Sequence, residues 1–583
     1  MTSNMKILTF LKNHISIKEK IKILFPGNWY QVSRFLSFKE KIFVSTVALI
    51  VAAAVFFWAG SVYFHFTKAV PKKGGSYTEG IVGQPMYINP LLSQTSQADS
   101  DLSQLIYSGL LKYDGQGKLA NNLAESYEIS EDRKTYTFYL KKNIKWHDGE
   151  PLTAGDIFFT FNAVQDPAYR SPLRLNWQGV EAEQKDDYTI SFTLTNPYFG
   201  FLNNLTMGIL PKHIWENVGP EKFILSELNL RPVGSGPYKF ADFQKDSGGN
   251  IVSYELRAFP DYFEGEPFIS KLNFNFYPDY DALAEAYNKK EIDGMGNAPA
   301  DKLGDIKSKK GTEIYELNSP RSFAAFFNQS KNAALASQKV REALAYGTDR
   351  SQIISEVLYE KGTAIFSPFL SSMEGYENDI TRYETNIEKA KSLLDEERWK
   401  LGEGQEIREK NGAKLQFEIS TLDSPELAQT ADVLSRQWKK IGADVQINIL
   451  SVSDLQQNYI KPREYSALLF GQELSFNPDL YFFWHSSQTR DPGLNFALFN
   501  DKKADELLEK ARGETDEEKR SEYYREFQKI ITAKIPAVFL YSPKYLYPVS
   551  KKVKDIEAEN INSPSGRFAE VNKWYVKTKR VKR

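Results

Sequence analysis

The side chains that could do chemistry in this chain are few and far apart. Its five histidines are His14, His65, His147, His213 and His485, and it has no cysteine. A thiolate nucleophile and a Cys-based zinc site are therefore excluded. The histidines beyond residue 66 are widely separated, and His147 precedes Asp148 in a Trp-His-Asp-Gly turn rather than on a helix face. Neither a GxSxG elbow nor an HExxH pair occurs. The glycine-rich run from Gly234 to Tyr238 lacks the Lys-Ser/Thr of a phosphate loop and reads as a turn entering a strand. These residues predict no catalytic group, no metal site and no cofactor. His485, after Trp484, is a candidate for the rim of a cleft, and dispersed carboxylates leave one route to a hydrolase.

The elements that must position any site are legible. Residues 136–140 alternate apolar and polar as a half-buried strand does, and Trp146-His147-Asp148-Gly149 supplies the turn of a hairpin. Thr153 stands three residues before Asp156, a capping-box start for a helix carrying Ile157, Phe158 and Phe161. Strands are predicted at 188–195, 445–450 and 537–541. One helix is predicted from Pro425 to near Gly442, and another from a Thr515/Glu518 capping box to about Ala533. Alternating helices and strands indicate an α/β class. With 583 residues the chain exceeds one core. Lys+Arg 74 against Asp+Glu 75 leaves no electrostatic bias toward nucleic acid. Aromatic residues reach 14%, which suits either a β-rich core or a cleft for a varied ligand.

Residues 42–66 contain no ionisable group except His65, and as a helix they would extend about 37 Å, enough to span a bilayer. Before them stand Lys6, Lys12, Lys18, Lys20, Lys22, Arg34, Lys39 and Lys41 against only Glu19 and Glu40. The positive-inside rule then keeps residues 1–41 in the cytoplasm and sends the rest outward, with Lys68, Lys72 and Lys73 weakening the bias slightly. A cleaved signal peptide fits less well, because the apolar run and its preceding region are long and no small-x-small site follows. Residues 67–74, rich in Pro, Gly and Lys, read as a short linker.

The order LAESYEIS then TYTFYLKKNIKWHDGEPLTAGDI between Leu123 and Ile157 resembles the extracellular solute-binding protein family 5, the peptide- and nickel-binding receptors of ABC importers. ILPKH from Ile209, PVGSGPYKF from Pro232, KVREALAYGTDRSQI from Lys339, EKAKSLLDEERW from Glu388, ADVQINIL from Ala443 and LLFGQELSFNPDLYFFWHSSQ from Leu468 continue the likeness in sequence order. The resemblance implies a two-lobed periplasmic-binding-protein fold of type II behind a single N-terminal transmembrane helix. Lobe one would combine residues 75–106, 187–297 and 537–577, with an extra subdomain at 107–186, and lobe two would be 298–536. Many relatives are lipoproteins held through a cysteine; its absence here fits a transmembrane helix in place of the lipid.

In peptide-binding members an extended ligand adds as a strand between two backbone segments. The resemblance maps these to Thr95, Ser96 and Gln97 in lobe one and to Phe470, Gly471, Gln472 and Glu473 in lobe two. Peptide receptors place an aspartate four residues before the proline of a D-Y-x-x-P motif to pair with the ligand ammonium; here Pro478 puts Leu474 there. Glu473 is the candidate replacement if a bulge turns it into the cleft, whereas strand alternation faces it away. Leu173 matches another pocket tyrosine, so both changes predict a more apolar pocket. The expected function is a monomeric membrane-anchored receptor that binds oligopeptides without catalysis and delivers them to ABC permease subunits. Alternatives are a non-peptide solute such as a chelated metal or small organic molecule, an extracytoplasmic hydrolase, and a sensor using the same fold.

Overall fold

The computed structural model describes residues 37–306, 310–476 and 478–583; the cytoplasmic segment expected at 1–41 lies outside them up to position 36. The chain divides into two compact units, Met1–Pro71 with Thr578–Arg583, and Lys72–Lys577. The first contains the helix Phe38–Phe66, where Ser37 and Glu40 close a capping box and the Ser37 N–H donates to Glu40 Oε2 at 2.8 Å. Its 29 residues rise about 43 Å at 1.5 Å each. Among the described residues it is the one helix long and apolar enough to cross a membrane. Thr67–Lys72, in the stretch expected as a linker, forms a strand paired with Lys577–Lys582. Pro71 is tolerated because a two-stranded ribbon leaves one edge of each strand free.

The second unit is built on a 12-stranded sheet whose main path runs Asp444–Leu450, Gln416–Leu422, Ala467–Glu473, Arg321–Phe327, Ala537–Ser550, Gly294–Met295, Ser76–Val82, Lys271–Tyr277, Ile251–Ala258, Tyr238–Lys245. Ala537–Ser550 was expected as a short strand and is 14 residues long. Its first part pairs with Arg321–Phe327, with Ala537 opposite Phe326 and Tyr541 opposite Phe323. Its second part pairs with Thr312–Asn318, with Lys544 opposite Asn318 and Ser550 opposite Thr312.

The apolar residues around this strand separate into distinct cores. One holds Tyr77, Leu102, Phe138, Trp146, Phe274, Leu317 and Tyr547. Two more flank the other half of the sheet: Phe323, Ala325, Phe327 and Tyr541 join one, and Ala324, Phe326 and Phe539 the other. Alternate residues of one strand thus feed opposite cores, which explains why FAAFF shows no polar alternation.

A separate antiparallel sheet joins Ala124–Ile129, Thr135–Leu140, Thr189–Leu194 and Val180–Asp186. Along Thr135–Leu140, Tyr136, Phe138 and Leu140 are buried and Tyr139 is exposed, as a period of two requires. The expected turn forms, with Gly149 at φ +101° and its N–H donating to Trp146 O at 2.9 Å. The helices Ala154–Gln165 and Pro425–Lys439 begin where Thr153/Asp156 and Pro425 place them. Glu517–Lys534 is capped by Asp516 rather than Thr515, its Oδ1 accepting the Lys519 N–H at 3.1 Å; the helix starts one residue later than expected and the carboxylate satisfies the N3 donor of that shifted start.

Candidate ligand-binding cleft

A cavity of about 650 Å³ opens beside the first turn of the helix Gln97–Ile106. Ser96 caps this helix: its Oγ accepts the Asp99 N–H at 3.1 Å and donates to Asp99 Oδ2 at 2.7 Å. Asp99 Oδ1 in turn takes the N–H groups of Met86 at 2.7 Å and Tyr87 at 2.8 Å. The Ser96 side chain is therefore committed to the fold, whereas its neighbours Thr95 and Gln97 face the cavity with less to hold them. Asn203, Asn204, residues 206–208, the stretch 560–566, and Glu473 with Ser475 complete the walls. The walls are dominated by amide and hydroxyl side chains. Of the charged groups there, Lys112 is paired with Glu264 at 2.6 Å and Asp114 Oδ1 accepts the backbone N–H groups of Gln116 and Lys118, both at 2.9 Å.

Behind this wall lies a wholly buried ionic cluster that sequence reasoning missed. Arg567 donates Nη1 to Asp101 Oδ1 at 2.8 Å, and Nη2 to Asp101 Oδ2 at 2.6 Å and to Glu79 Oε1 at 2.8 Å. Tyr547 donates its hydroxyl to Glu79 Oε2 at 3.0 Å, and the Tyr77 hydroxyl bonds the same oxygen. Nη1 also reaches Pro564 O at 2.8 Å, so one guanidinium fastens the cavity's 564–566 wall to the helix that presents Gln97. Burial pushes the Glu79 and Asp101 carboxyls upward, against the pull of Arg567. Positions 79, 101 and 567 are too distant in sequence for any spacing to have signalled the cluster.

Of the residues expected at the site, Thr95, Ser96, Gln97, Leu173 and Glu473 line the cavity, and Phe470, Gly471 and Gln472 do not. Phe470 packs its ring on Phe496 at 5.8 Å. A Cβ at Gly471 would stand 2.7 Å from the Phe323 ring, so only glycine fits under that aromatic. Gln472 is buried, and neither atom of its amide has a partner among the described residues. Leu474 is in the core, its N–H donating to Pro320 O at 2.7 Å. Of the two positions expected to make the pocket more apolar, Leu173 lines the cavity and Leu474 does not, and strand parity places Glu473 on the cavity side without a bulge. Pairing of Ala467–Glu473 with Gln416–Leu422 stops at Leu469, whereas pairing with Arg321–Phe327 continues to Glu473. One backbone edge of 470–473 is thus left without a strand partner.

The remaining candidates are structural. His147 accepts the Gly234 N–H at Nδ1 (3.2 Å) and its Nε2 meets Gly236 O at 3.0 Å; burial lowers its pKa to about 4. The glycines of that loop answer to packing, since a Cβ at Gly234 would lie 1.9 Å from Ile106 O. His485 stacks on Tyr481 at 4.1 Å, accepts the Ser487 N–H at Nδ1 and faces Glu509 at 3.3 Å, away from the cavity. Among the described residues no group of three or more His, Asp or Glu is placed to hold a metal ion.

The small antiparallel sheet and the loop that follows it touch the helices Lys502–Gly513 and Glu517–Lys534. The Phe199 N–H donates to Arg512 O at 3.0 Å, and Arg133 Nη1 meets Glu514 Oε1 at 2.9 Å. The Arg512 guanidinium covers Tyr198 at 4.6 Å. Arg520 is held by Glu374 at 2.7 Å and lies over Phe199.

Comparison with known proteins matches this architecture. The profile of the bacterial extracellular solute-binding proteins, family 5 middle region, covers residues 118–494. The oligopeptide-binding protein AppA of Bacillus subtilis is 30% identical over 514 residues, spanning 87% of this chain and 92% of AppA. Its structure with a nonapeptide superposes with a TM-score of 0.69, covering 87% of this chain and all of that one at 29% identity. The dipeptide-binding protein of Escherichia coli is 28% identical over 81% of this chain and 90% of its own. NikZ of Campylobacter jejuni, solved with Ni(L-His), gives a TM-score of 0.69 at 26% identity, over 87% of this chain and all of NikZ. A mixed α/β fold of two lobes, a cavity walled by polar side chains and a match across most of the sequence have one reading: the chain belongs to the bacterial extracellular solute-binding proteins of family 5.

Proposed function

We propose that this protein is the membrane-anchored receptor of an ABC importer and that it binds oligopeptides in the 650 Å³ cavity, without catalysis and as a monomer. The backbone edge at 470–473 without a strand partner, which meets that cavity at Glu473, carries the reading: an extended peptide can add there as a strand and be held through its main chain, while the amide and hydroxyl walls accept varied side chains. AppA and the dipeptide-binding protein, by their names, bind such ligands. Thr95 and Gln97 supply the facing wall, Leu173 an apolar contact, and Glu473 the partner for a ligand cation. Lobe one comprises residues 75–106, 187–297 and 537–577 with an extra subdomain at 107–186, and lobe two residues 298–536; the change in pairing partner along the strand Ala537–Ser550 lies where the two lobes share it. The Phe38–Phe66 helix is the anchor, with the preceding lysines inside and the receptor outside.

Native mass spectrometry of the detergent-solubilised full chain, followed by denaturation, tests the assignment. Release of a mixture of short peptides is the expected result. A single non-peptide mass, such as the metal chelate seen in NikZ, would keep the receptor and overturn the peptide; turnover of added peptides would overturn both.

A further inference from the structure

We infer that the ribbon formed by Thr67–Lys72 and Lys577–Lys582 docks on anionic phospholipid headgroups at the outer surface of the bilayer that the Phe38–Phe66 helix enters. The inference rests on the anchored reading above. The first strand, TKAVPK, carries Lys68 and Lys72; the second, KTKRVK, carries Lys577, Lys579, Arg580 and Lys582, and Arg583 follows. Neither strand contains an aspartate or glutamate. None of these cations forms an ion pair with a carboxylate among the described residues, whereas the next lysine, Lys73, is bound to Glu266. All of them except Arg580 are exposed.

Arg580 joins the ribbon to the helix. Its Nε donates to Thr67 Oγ1 at 2.7 Å, and its Nη2 to the carbonyls of Thr67 at 2.8 Å and Phe64 at 3.3 Å. The guanidinium lies 4.3 Å from the Phe64 ring centroid, and the Arg583 N–H reaches Phe66 O at 3.0 Å. Carbonyls that a helix end leaves unsatisfied are thus taken up by the ribbon. Tyr63, Phe64 and Phe66 place aromatic rings at this end of the helix, where membrane helices meet the headgroup layer. The cations are therefore fixed at the depth of lipid phosphates rather than carried on a loose tether. Each Lys or Arg held at an anionic surface favours binding by about fivefold.

The arrangement also settles a conflict over orientation. Cations just outside a membrane helix oppose the positive-inside signal. Lys577–Lys582, however, is separated from the helix in sequence by the whole Lys72–Lys577 unit. It is absent from the helix's flank during insertion and arrives only on folding. An outer cationic surface is assembled without weakening the signal that orients the chain.

The test places the full-length protein in nanodiscs of equimolar phosphatidylcholine and phosphatidylglycerol and counts the lipids it retains in native mass spectrometry. Phosphatidylglycerol should be retained several-fold over phosphatidylcholine. The excess should vanish in a K68Q/K579Q/K582Q/R583Q variant, and in about 1 M salt, where the screening length falls to about 3 Å. Arg580 is left in place so that the helix junction survives. Even retention by the unmodified protein, or an excess unchanged in the variant, overturns the proposal. Carbonate washing of membranes separates the two readings: a chain that washes off loses its anchor, whereas one that stays while retaining both lipids equally loses only the ribbon's role.

Discussion

The guanidinium of Arg520 lies 3.5 Å from the centre of the Phe199 ring, joining the loop after the small antiparallel sheet to the helix Glu517–Lys534. Arg520 is itself buried and held by Glu374, so the contact is desolvated and the loop is gripped by an already rigid group. Together with the Arg512 carbonyl and the Arg133–Glu514 pair, it ties the small sheet and the loop after it to the helices Lys502–Gly513 and Glu517–Lys534.

Phe199→Ala should shift the receptor toward an open form and weaken ligand binding by about tenfold, given about 1–2 kcal/mol for the lost cation–π contact. Small-angle scattering of the ligand-free protein, with calorimetry for affinity, reads both. An unchanged radius of gyration with unchanged affinity would show that the contact forms no latch.

Glu473→Gln should reduce affinity for a cationic ligand by about tenfold, since a hydrogen bond to a charged group contributes about 1.5–3 kcal/mol. A neutral ligand of the same size should be unaffected. Equal affinity of both proteins for the cationic ligand would remove Glu473 from the recognition surface.

Arg567→Met should cost about 3–5 kcal/mol, because it strands two buried carboxylates. Those carboxyls are raised in the folded state, so the stability they contribute is present below their ordinary pKa of about 4 and is lost as pH rises through the raised value. The variant should therefore recover relative to the parent protein in thermal melts taken toward pH 4. A deficit independent of pH would place the cost in packing instead.

His147 titrates in the opposite sense. Its pKa is lowered to about 4, so its contribution is present above the ordinary value of about 6.5 and is lost as pH falls toward 4. Over that window it removes about 3 kcal/mol at most. His147→Phe should flatten this part of the stability profile in chemical denaturation; an identical slope would assign it to other groups.

The hairpin at Gly149, the helix starts at Thr153 and Pro425 and the overall class were legible in the sequence because each rests on residues within one turn of one another. The full length of Ala537–Ser550 was not, since its second half looks like an ordinary loop until Thr312–Asn318 supplies hydrogen bonds from far away. At the cleft, motif order named positions 95–97, 173 and 473, and these line the cavity. Which way 470–472 face was not legible, because it depends on which strand covers which edge. Leu474 illustrates the limit: its type was noted, but only the strand's parity shows that it enters the core and leaves Glu473 at the cavity.

The Arg567 cluster also sets a timetable. Glu79 and Asp101 leave the ribosome early, and the cation that neutralises them comes only after the 14-residue strand Ala537–Ser550 has been made. Until then the helix carrying Gln97 has unmatched charge behind it and the central sheet lacks its middle strand. The cavity wall at 564–566 and the helix that presents Gln97 are therefore fastened to one another only once Arg567 has been made.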